Sequence, residues 1–301
     1  MDRNLLPLLR DPVDGGFLRL QVTHEEEGGG VREGFLIGES GRSYSVLAGV
    51  PRFLTSRGQT EKAGIDYAQA CDPAAKWKNA VRRYPLLTRI LQVIFDPAWV
   101  SHATRDRLLL AQPAGARVLN LGAGVKRLPH VASINLDLDA YGNVDLVADG
   151  AVLPLATGAF DGVVMEYVIE HVADPGSLLA EVHRILKPGG FLYLTVPFLQ
   201  AYHGNPDDYH RFTRSGLRGL LGRFEVELCQ PFGGPASALV CMVKEFLALC
   251  LSFRSRRLYA VLAQLLIIPL FPVKFLDLLL ARDPNAHAMA FSLECIGRKR
   301  E

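Results

Sequence analysis

Five short apolar runs follow one another in the middle of the chain, each bounded by turn residues. They occupy residues 118–121, 134–138, 144–148, 162–165 and 191–196. Short, largely apolar runs of this kind are typical of strands that are buried on both faces of a parallel sheet. The pattern therefore predicts an α/β fold with a doubly wound, mostly parallel sheet.

A helical segment separates the fourth run from the fifth. Asp174 is placed to cap its start and Pro175 stands at its first helical position, while Lys-Pro-Gly-Gly at 187–190 ends it. Its apolar residues recur at helical spacing, which predicts one face packed on the sheet: Leu178, Leu179, Val182, Ile185 and Leu186.

A Gly-x-Gly turn and a strand-end acid follow the first two runs. Gly122 and Gly124 come directly after the first run, and Asp137 lies near the end of the second, with Asp139 as the alternative. Alone, the glycines are equally compatible with an ordinary tight turn. Followed by the acid, they are typical of a nucleotide-like cofactor site, in which backbone approaches the ligand and the acid binds ribose hydroxyls.

Further motifs follow in order along the chain. They are Asp149, Leu-Pro…Phe-Asp at 153–161, Glu-His-Val at 170–172 and Arg-Ile-Leu-Lys-Pro-Gly-Gly at 184–190. With the glycine turn and Asp137, this set resembles class I S-adenosylmethionine-dependent methyltransferases of the small-molecule branch, over about residues 100–230. The resemblance implies a Rossmann-like sheet of seven strands and S-adenosylmethionine as the cofactor. It also implies these cofactor-binding positions: Asn120, Gly122, Gly124, Asp137, Asp149, Gly150 and Glu166.

Two positions depart from the family pattern. Asn120 stands where the family often has an acid that pairs with the cofactor's ammonium, and Lys126 stands where a third glycine is common. Asn120 keeps a hydrogen-bonding carbonyl and loses the charge. Lys126 brings a cation to the sulfonium end or points into solvent.

Composition narrows the function classes. A net charge of +2, from 33 basic and 31 acidic residues, gives no electrostatic footprint for nucleic acid. The five cysteines are scattered without a Cys-x-x-Cys pair, which favours free thiols in a reducing cytosol and predicts no metal site. The first residues lack the pattern of a signal peptide. We therefore expect a cytoplasmic protein.

Residues 1–57 form a separate β-rich unit in this interpretation, with two hairpin-like halves around a glycine-rich connection at 25–30. The layout is similar to the zinc-ribbon proteins that partner or precede methyltransferases. The four ligand positions, however, hold Asp11, Asp14, Ile37 and Ser40, which cannot form a thiolate zinc site. The unit is thus a degenerate ribbon or an unrelated β-rich extension.

Residues 58–115 are expected to form a helical connector that can act as a lid over the cofactor. A helix is predicted over 80–95, interrupted in its first turn by Pro85. Trp77, Tyr84 and Trp99 either roof the cofactor or serve as packing aromatics.

Residues 116–301 complete the methyltransferase domain, with an insertion at 235–285 and a last, antiparallel edge strand at 287–296. Within the insertion, residues 258–273 carry no charge, and basic residues precede them at 254–257. The run is short for a transmembrane span and contains Pro269 and Pro272. It predicts a helical hairpin that lies on a membrane or walls a substrate pocket, with a dimer interface or an extra core layer as the alternative.

The loop after the fifth run, residues 197–213, is dense in titratable groups. His203, His210 and Asp208 are the candidate catalytic residues, because a histidine near its ordinary pKa of about 6.5 can act as a base at neutral pH. The alternative is a polar loop held rigid by ion pairs. His171 is expected to organise the loop after the fourth strand, where Tyr167 follows Glu166.

These features favour methyl transfer to a small or lipid-linked acceptor, at oxygen or carbon. A catalytically silent methyltransferase-like module that binds a partner is the alternative, kept open by Asn120 and the missing zinc ligands. An RNA-modifying enzyme is a third reading, which the near-neutral charge disfavours.

Overall fold

The protein consists of a small antiparallel sheet packed against a larger, mostly parallel one. A computed structural model describes residues 1–54, 84–204 and 207–300. The strands are β1 (Leu18–Glu25), β2 (Val31–Gly38), β3 (Ser43–Leu47), β4 (Val50–Pro51), β5 (Val118–Leu121), β6 (Ser133–Asp137), β7 (Leu146–Val147), β8 (Phe160–Glu166), β9 (Leu186–Pro197), β10 (Phe224–Gly233) and β11 (Ser292–Lys299).

Helices flank the larger sheet and fill the insertion. The α-helices are α1 (Pro85–Phe95), α2 (Ala103–Leu110), α3 (Pro175–Ile185), α4 (Arg214–Leu220), α5 (Pro235–Leu251), α6 (Arg256–Leu265), α7 (Ile267–Leu270) and α8 (Asp277–Leu280). Four 3-10 segments add to them: Arg3–Leu8, Ile169–His171, Phe271–Leu276 and Ala286–Ala288.

The larger sheet has seven strands in the order β10-β11-β9-β8-β5-β6-β7. The pairs β5–β6, β6–β7, β5–β8 and β8–β9 are parallel, and β11 is antiparallel to both of its neighbours. This confirms the predicted Rossmann-like, doubly wound sheet. The strand order reverses between β5 and β8, so their carboxyl ends form the switch point at which such sheets bind ligands.

The helix after β8 begins as its sequence predicts. The Asp174 side chain accepts hydrogen bonds from the backbone N–H of Gly176 and of Ser177, and Pro175 occupies the first turn. The apolar side chains predicted to face the sheet are buried: Leu178, Leu179, Val182, Ile185 and Leu186. The core of the sheet therefore fixes the strand ends that carry the site.

The last strand differs from its prediction in its position in the sheet and in its first residue. β11 begins at Ser292 instead of 287, and it lies between β9 and β10, so β10 is the edge strand. The antiparallel direction is as expected. The 3-10 turn Ala286–Ala288 takes the first residues of the predicted strand.

The helix predicted over 80–95 is observed from Pro85, which stands at its first turn instead of interrupting it. Residues 80–83 and Trp77 lie outside the described residues. Tyr84 is exposed, whereas Trp99 packs edge-on against Phe275, with ring centroids 5.1 Å apart.

Two of the cysteines are bonded, so the expectation of free thiols was wrong for them. Cys229 on β10 faces Cys295 on β11 in register, with Cα atoms 4.2 Å apart, and the structure joins them in a disulfide. The pairing depends on a strand register across 66 residues of sequence, which spacing alone does not reveal. Cys241 and Cys250 are free, and Cys71 lies outside the described residues.

The N-terminal unit is a four-stranded antiparallel sheet in the order β1-β2-β3-β4. It shares one apolar core with the larger sheet, because fully buried Leu9 forms a bridge with Leu155 and the Phe53 N–H donates to the Val147 carbonyl at 2.8 Å. The small β-rich unit is thus present, docked along β7 and the segment that follows it.

A charge network occupies the corner where the ribbon resemblance places metal ligands. The buried Asp11 carboxylate accepts from the Tyr44 hydroxyl at 2.8 Å, the Val13 N–H at 2.9 Å and Arg42 Nε at 3.2 Å. Arg42 also binds Asp14. Burial alone would raise the pKa of Asp11, but these donors outweigh it and lower that pKa.

Replacing Asp11 by Asn is expected to lower the free energy of unfolding by about 2 kcal/mol at pH 7, since a buried, charge-assisted network is broken. Because the folded pKa of Asp11 is lowered, its contribution is present above the unfolded pKa of about 4 and is lost as pH falls through the folded pKa. Urea unfolding of both proteins from pH 7 to pH 3 measures this. A difference that stays constant over that range would contradict the account.

Candidate functional site

A cavity of about 820 Å³ lies at the carboxyl ends of β5 and β8. On one side it is lined by the turn after β5, and on the other by the loops after β8 and β9. A third wall comes from the segment between α1 and α2 and from Phe232 and Phe291. The cavity thus lies at the switch point of the sheet.

The glycine turn after β5 uses its two glycines differently. Gly122 has φ +71° and Gly124 has φ +53°, a backbone region that favours glycine. A Cβ on Gly122 would collide with a methyl group of Val168, whereas a Cβ on Gly124 would meet no protein atom within 4 Å. Gly122 therefore permits close packing of two loops, and Gly124 leaves open space beside the backbone.

Asn120 belongs to a buried amide network beneath this turn. Its Nδ2 donates to Asn135 Oδ1 at 3.0 Å and to the Lys126 carbonyl at 3.2 Å, and Asn135 in turn donates to the Asn143 carbonyl at 2.9 Å. An aspartate in this place would turn its oxygens toward two acceptors. The departure from the family pattern is therefore a structural requirement of this turn.

Asn120→Asp is expected to lower the free energy of unfolding by about 2 kcal/mol, because a buried carboxylate cannot donate and would face the two acceptor oxygens that Asn120 Nδ2 now serves. Asn143→Asp is the matched control, since the exposed Asn143 Nδ2 donates to the same Lys126 carbonyl, at 3.0 Å, and water can replace it there. Urea unfolding of the two variants should show a clearly smaller loss for the control, and equal losses would refute this role.

The three acids predicted to bind the cofactor, Asp137, Asp149 and Glu166, differ in their exposure and in their hydrogen-bond partners. Asp137 Oδ2 accepts the Gly124 N–H at 2.8 Å and Oδ1 accepts the Asp139 N–H at 3.1 Å, so Asp137 stands directly behind the glycine turn. Asp149 is exposed and accepts the Ala151 N–H at 2.9 Å. Gly150 packs near Leu178.

Glu166, at the end of β8, is held by residues of α2 and its cap. Arg105 Nη1 binds both carboxylate oxygens, at 2.9 and 3.0 Å, and His102 Nδ1 lies 3.3 Å from Oε1. Burial raises the pKa of Glu166, but His102 and Arg105 outweigh it, so that pKa is lowered and the carboxylate stays charged. The next residue, Tyr167, has φ +56° and donates to Ser292 Oγ at 2.9 Å.

The loop after β9 is organised by Asp208 and Arg211. The buried Asp208 carboxylate binds the Arg211 guanidinium and accepts the His203 N–H at 2.9 Å. Burial opposes ionisation, but these donors lower the pKa of Asp208 to about 2. Asp208 is therefore a permanently charged anchor of the loop.

The two candidate histidines of this loop have different positions. His203 lines the cavity. His210 is absent from the cavity wall and lies between Tyr209 and Phe212, with ring centroids 6.2 and 5.6 Å away. His171 also lines the cavity, and its Nδ1 donates to the Asp207 carbonyl at 2.5 Å, so it ties the loop after β8 to the loop after β9.

Comparison with known proteins adds to this geometry. Residues 127–194 match the family model described as a methyltransferase domain. The chain is 39% identical over 105 residues to an arsenite methyltransferase of Aquipseudomonas alcaligenes, covering 32% of this chain and 30% of that protein. It is 31% identical over 133 residues to a demethylmenaquinone methyltransferase of Mycolicibacterium vanbaalenii, covering 40% and 57%.

Over residues 127–194 the chain is therefore similar to methyltransferase domains. Its cofactor is S-adenosylmethionine. The chain spans less than two thirds of the length of the curated relatives it matches. Likeness to solved structures is weak: the [4+2]-cyclase SpnF gives a TM-score of 0.41 at 18% identity, over 74% of this chain and 96% of that one.

The cavity also has polar residues that the sequence analysis did not assign to the site. Arg105, His102 and Gln200 line it, and Glu170 lies beneath it, although the sequence singled out Glu170 only as part of a motif. Arg105 and His102 lie before β5, the first strand of the larger sheet, and no sequence motif marks them. Of the predicted cofactor residues, Asn120, Gly122, Gly124 and Glu166 line the cavity.

Proposed function

We propose that the protein transfers the methyl group of S-adenosylmethionine to oxygen or carbon of a small or lipid-linked acceptor. The observation that supports this most directly is the arrangement of the cavity, which has the glycine turn on one side and a histidine, His203, on the other. Methyl transfer from a sulfonium depends mainly on aligning donor and acceptor. A cavity with one wall for each of them permits this alignment.

The cofactor is assigned to the side of the glycine turn. Gly124 leaves space for its backbone contact, Asp137 is proposed to bind the ribose hydroxyls, and Asp149 with Gly150 the adenine. Glu166 is proposed to provide the negative charge missing at Asn120, since its ionised carboxylate lines the same cavity, where Arg105 holds both of its oxygens. The cofactor's ammonium would therefore meet Glu166.

The acceptor is assigned to the side of His203, Gln200 and Tyr167. His203 is the one of the two candidate histidines that faces the cavity, and Asp208 and Arg211 hold its loop. His210 and Asp208 are assigned to keeping the loop in place. Two curated relatives are named for arsenite and for demethylmenaquinone, which supports a small-molecule or lipid-linked acceptor.

Methyl transfer is tested with radiolabelled S-adenosylmethionine and a bacterial extract separated into aqueous, organic and macromolecular fractions. Label in the organic or small aqueous fraction, lost with His203→Ala, is the expected result. Label only in RNA or protein would contradict the acceptor class. Absence of cofactor binding would favour a silent, partner-binding module.

The apolar surface

A broad apolar surface adjoins the cavity on the side of the insertion, and we propose that it rests on an anionic lipid bilayer. Its exposed residues come from α1, α5 and the stretch 253–279: Leu86, Leu87, Ile90, Val93, Leu239, Met242, Phe246, Leu249, Phe253, Leu258, Val261, Leu265, Ile268, Leu276, Leu278 and Leu279. Soluble monomers rarely expose large apolar patches, so this many exposed apolar side chains suggests that the surface is covered by a partner or a membrane.

One buried contact joins α1 to the insertion, and a second joins two parts of the insertion to each other. Lys274, 1% exposed, donates to the carbonyls of Val93 and Asp96 at the end of α1. The Asp277 carboxylate caps the start of α5 through the N–H groups of Ala236 and Ser237, at 2.8 and 2.9 Å.

Further contacts connect this surface to the cavity. The Trp99 N–H donates to Ser237 Oγ at 2.9 Å, and Ala98, which lines the cavity, packs with Ala238 and Cys241 of α5. A lipid-linked acceptor could thus pass from the bilayer side to the cavity along this segment.

The charges beside the apolar surface favour a lipid bilayer over a second copy of the chain as its partner. Between Glu245 and Asp277 the sequence contains Arg254, Arg256, Arg257 and Lys274 and no acid. The three arginines are exposed at the start of α6, where they can bind anionic headgroups.

The helical segment Arg256–Leu280 is longer than the apolar run 258–273 that the sequence shows. It has 25 residues, and it is the stretch within the described part of the chain that is long and apolar enough to cross a membrane by length and composition alone. It passes from α7 into the 3-10 turn Phe271–Leu276 near Pro272. Only 17% of its most apolar part is buried, as expected of a surface that needs cover.

Vesicle flotation tests the bilayer proposal. The full chain is expected to float with vesicles that contain phosphatidylglycerol and to bind pure phosphatidylcholine vesicles less. Phe246→Ser combined with Phe253→Ser should abolish flotation, whereas Leu110→Ser, equally exposed on α2, should not. If the double variant floats as the native chain does, or if sedimentation shows a dimer that this variant dissociates, the bilayer proposal fails.

The N-terminal unit

The N-terminal unit is proposed to be a ribbon whose metal corner has been replaced by the network of Asp11, Asp14 and Arg42. Its shared core with β7 and the segment after it supports a structural role for the unit. The unit is therefore expected to fold without Zn²⁺, so Asp11→Asn should leave the metal content of the chain unchanged.

A further inference from the structure

A buried carboxylate and two imidazoles converge beneath the acceptor side of the cavity. Glu170, in the 3-10 turn after β8, is 0% exposed, and no described residue donates a hydrogen bond to either of its side-chain oxygens. Burying an ionised carboxylate without a partner costs several kcal/mol or more, so the site requires a cation or a proton.

Both histidines turn the same ring nitrogen toward this carboxylate. His203 Nε2 lies 3.4 Å from Glu170 Oε1, and His171 Nε2 lies 3.8 Å from it. One donor atom from each of the three residues lies within 4.8 Å of the others. The two rings are nearly perpendicular, with centroids 5.1 Å apart.

The opposite ring nitrogens are already held. The 2.5 Å contact from His171 Nδ1 to the Asp207 carbonyl requires the proton on Nδ1, which leaves the lone pair of Nε2 directed at Glu170. His203 Nδ1 lies 3.4 Å from the Asp208 carboxylate, the acceptor it needs when a metal binds Nε2, and 3.3 Å from Arg211 Nη2, which donates to it in the other tautomer. Metal-binding histidines almost always have such a partner on the second nitrogen, because it fixes the ring and its tautomer.

We propose that Glu170, His171 and His203 bind a divalent cation of the zinc class. A metal with ligands at 2.0–2.1 Å in tetrahedral geometry separates them by about 3.3 Å, close to the distances of 3.4 and 3.8 Å found here. Two imidazoles with one carboxylate suit Zn²⁺, Fe²⁺, Mn²⁺ or Co²⁺, whereas Mg²⁺ and Ca²⁺ prefer oxygen ligands alone.

The proposed site would have its open coordination position beside the acceptor. Three protein ligands leave a fourth position for water or substrate, and both histidines line the cavity. A hydroxyl bound there loses its proton more readily, as metal-bound water does. The proton leaves to solvent, the acceptor oxygen forms its bond to the methyl carbon, and the bond from that carbon to sulfur breaks, giving S-adenosylhomocysteine.

This catalytic role rests on the proposed methyl transfer, whereas the cation site itself does not. It assigns His203 to metal binding in place of a free general base. Glu170 and His171, which sequence analysis left in a structural motif, become ligands of the same ion.

Cobalt titration of the chelator-treated full chain tests the site directly. We expect one Co²⁺ per chain with the visible absorption bands of a low-coordinate site, displaced by equimolar Zn²⁺. His171→Ala and His203→Ala should each weaken binding about 100-fold or more, and Glu170→Gln should weaken it at least about 10-fold. His24→Ala is the matched control, because the exposed His24 also lies beside a carboxylate, 3.7 Å from Glu33.

S-Adenosylhomocysteine binding, measured on the same samples, separates the two claims and shows that each variant is folded. Cofactor binding without cobalt binding would overturn the cation site, and would assign the proton on His203 as the partner of Glu170. Cobalt bound equally by all variants would overturn it too. Cobalt binding that depends on the three residues, without cofactor binding, would retain the site and contradict the methyl-transfer proposal.

Discussion

Arg105→Met is expected to lower the free energy of unfolding at pH 7 by about 3 kcal/mol, since it leaves the Glu166 carboxylate charged and largely buried without its partner. The side chains of Arg105 and Glu166 are only 11% and 21% exposed, so solvent compensates little. Urea unfolding measures the loss.

The pair has a defined pH dependence. The folded pKa of Glu166 is lowered, so its pairing stabilises the protein above the unfolded pKa of about 4 and this contribution is lost as pH falls through the folded pKa. The difference between native protein and Arg105→Met should therefore be full at neutral pH and shrink in acid.

Two controls sharpen this prediction. Arg107→Met, on the exposed side of the same helix, should change stability by less than about 0.5 kcal/mol. Combining Arg105→Met with Glu166→Gln should recover part of the loss, because the buried charge is then removed as well. A double variant no more stable than Arg105→Met would show that the loss arises from packing instead.

Gly124→Ala is expected to weaken S-adenosylhomocysteine binding at least 100-fold while lowering stability by only about 1 kcal/mol. Its Cβ meets no protein atom and would occupy space beside the turn, at a positive φ that costs about that much in a residue other than glycine.

Gly122→Ala is the contrasting variant. Its Cβ collides with Val168, so it should lower stability by about 2 kcal/mol or more in addition to the backbone cost. Urea unfolding and calorimetric titration together separate the two effects. Native-like cofactor binding by Gly124→Ala would show that the cofactor does not pack on this turn.

The sheet was predictable because its signal is local. Each strand of the parallel part is a short apolar run, and Asp174 with Pro175 marks the helix start, so element type and order follow from residues next to one another. The fold class, the glycine turn and the direction of β11 therefore agree with the structure.

What the sequence did not predict depends on register and on contacts distant in the chain. The partner of Cys229 is set by the alignment of β10 with β11, and the position of β11 inside the sheet by a crossover. The pairing of Arg105 with Glu166 spans 61 residues. The contact of Glu170 with His203 joins the loops after β8 and β9, which α3 separates along the chain and which the pairing of the two strands brings together.

The candidate site residues also divide into those that a local pattern marks and those that depend on distant contacts. Gly122, Gly124 and Asp137 could be chosen from a strand followed by a turn, because a local backbone shape defines them. The choice between His203 and His210 could not, since the direction of each ring depends on the anchor formed by Asp208 and Arg211. The role of Asn120 became clear only with its buried partners Asn135 and Lys126.

Calorimetric titration of the full chain with S-adenosylmethionine tests the central claim most directly. We expect one site of micromolar affinity that Asp137→Ala abolishes, while Asp139→Ala, two residues along the same strand end, leaves it within about threefold of native. Absence of binding at millimolar cofactor, or binding that Asp137→Ala leaves unchanged, would contradict the assignment of this cavity to S-adenosylmethionine.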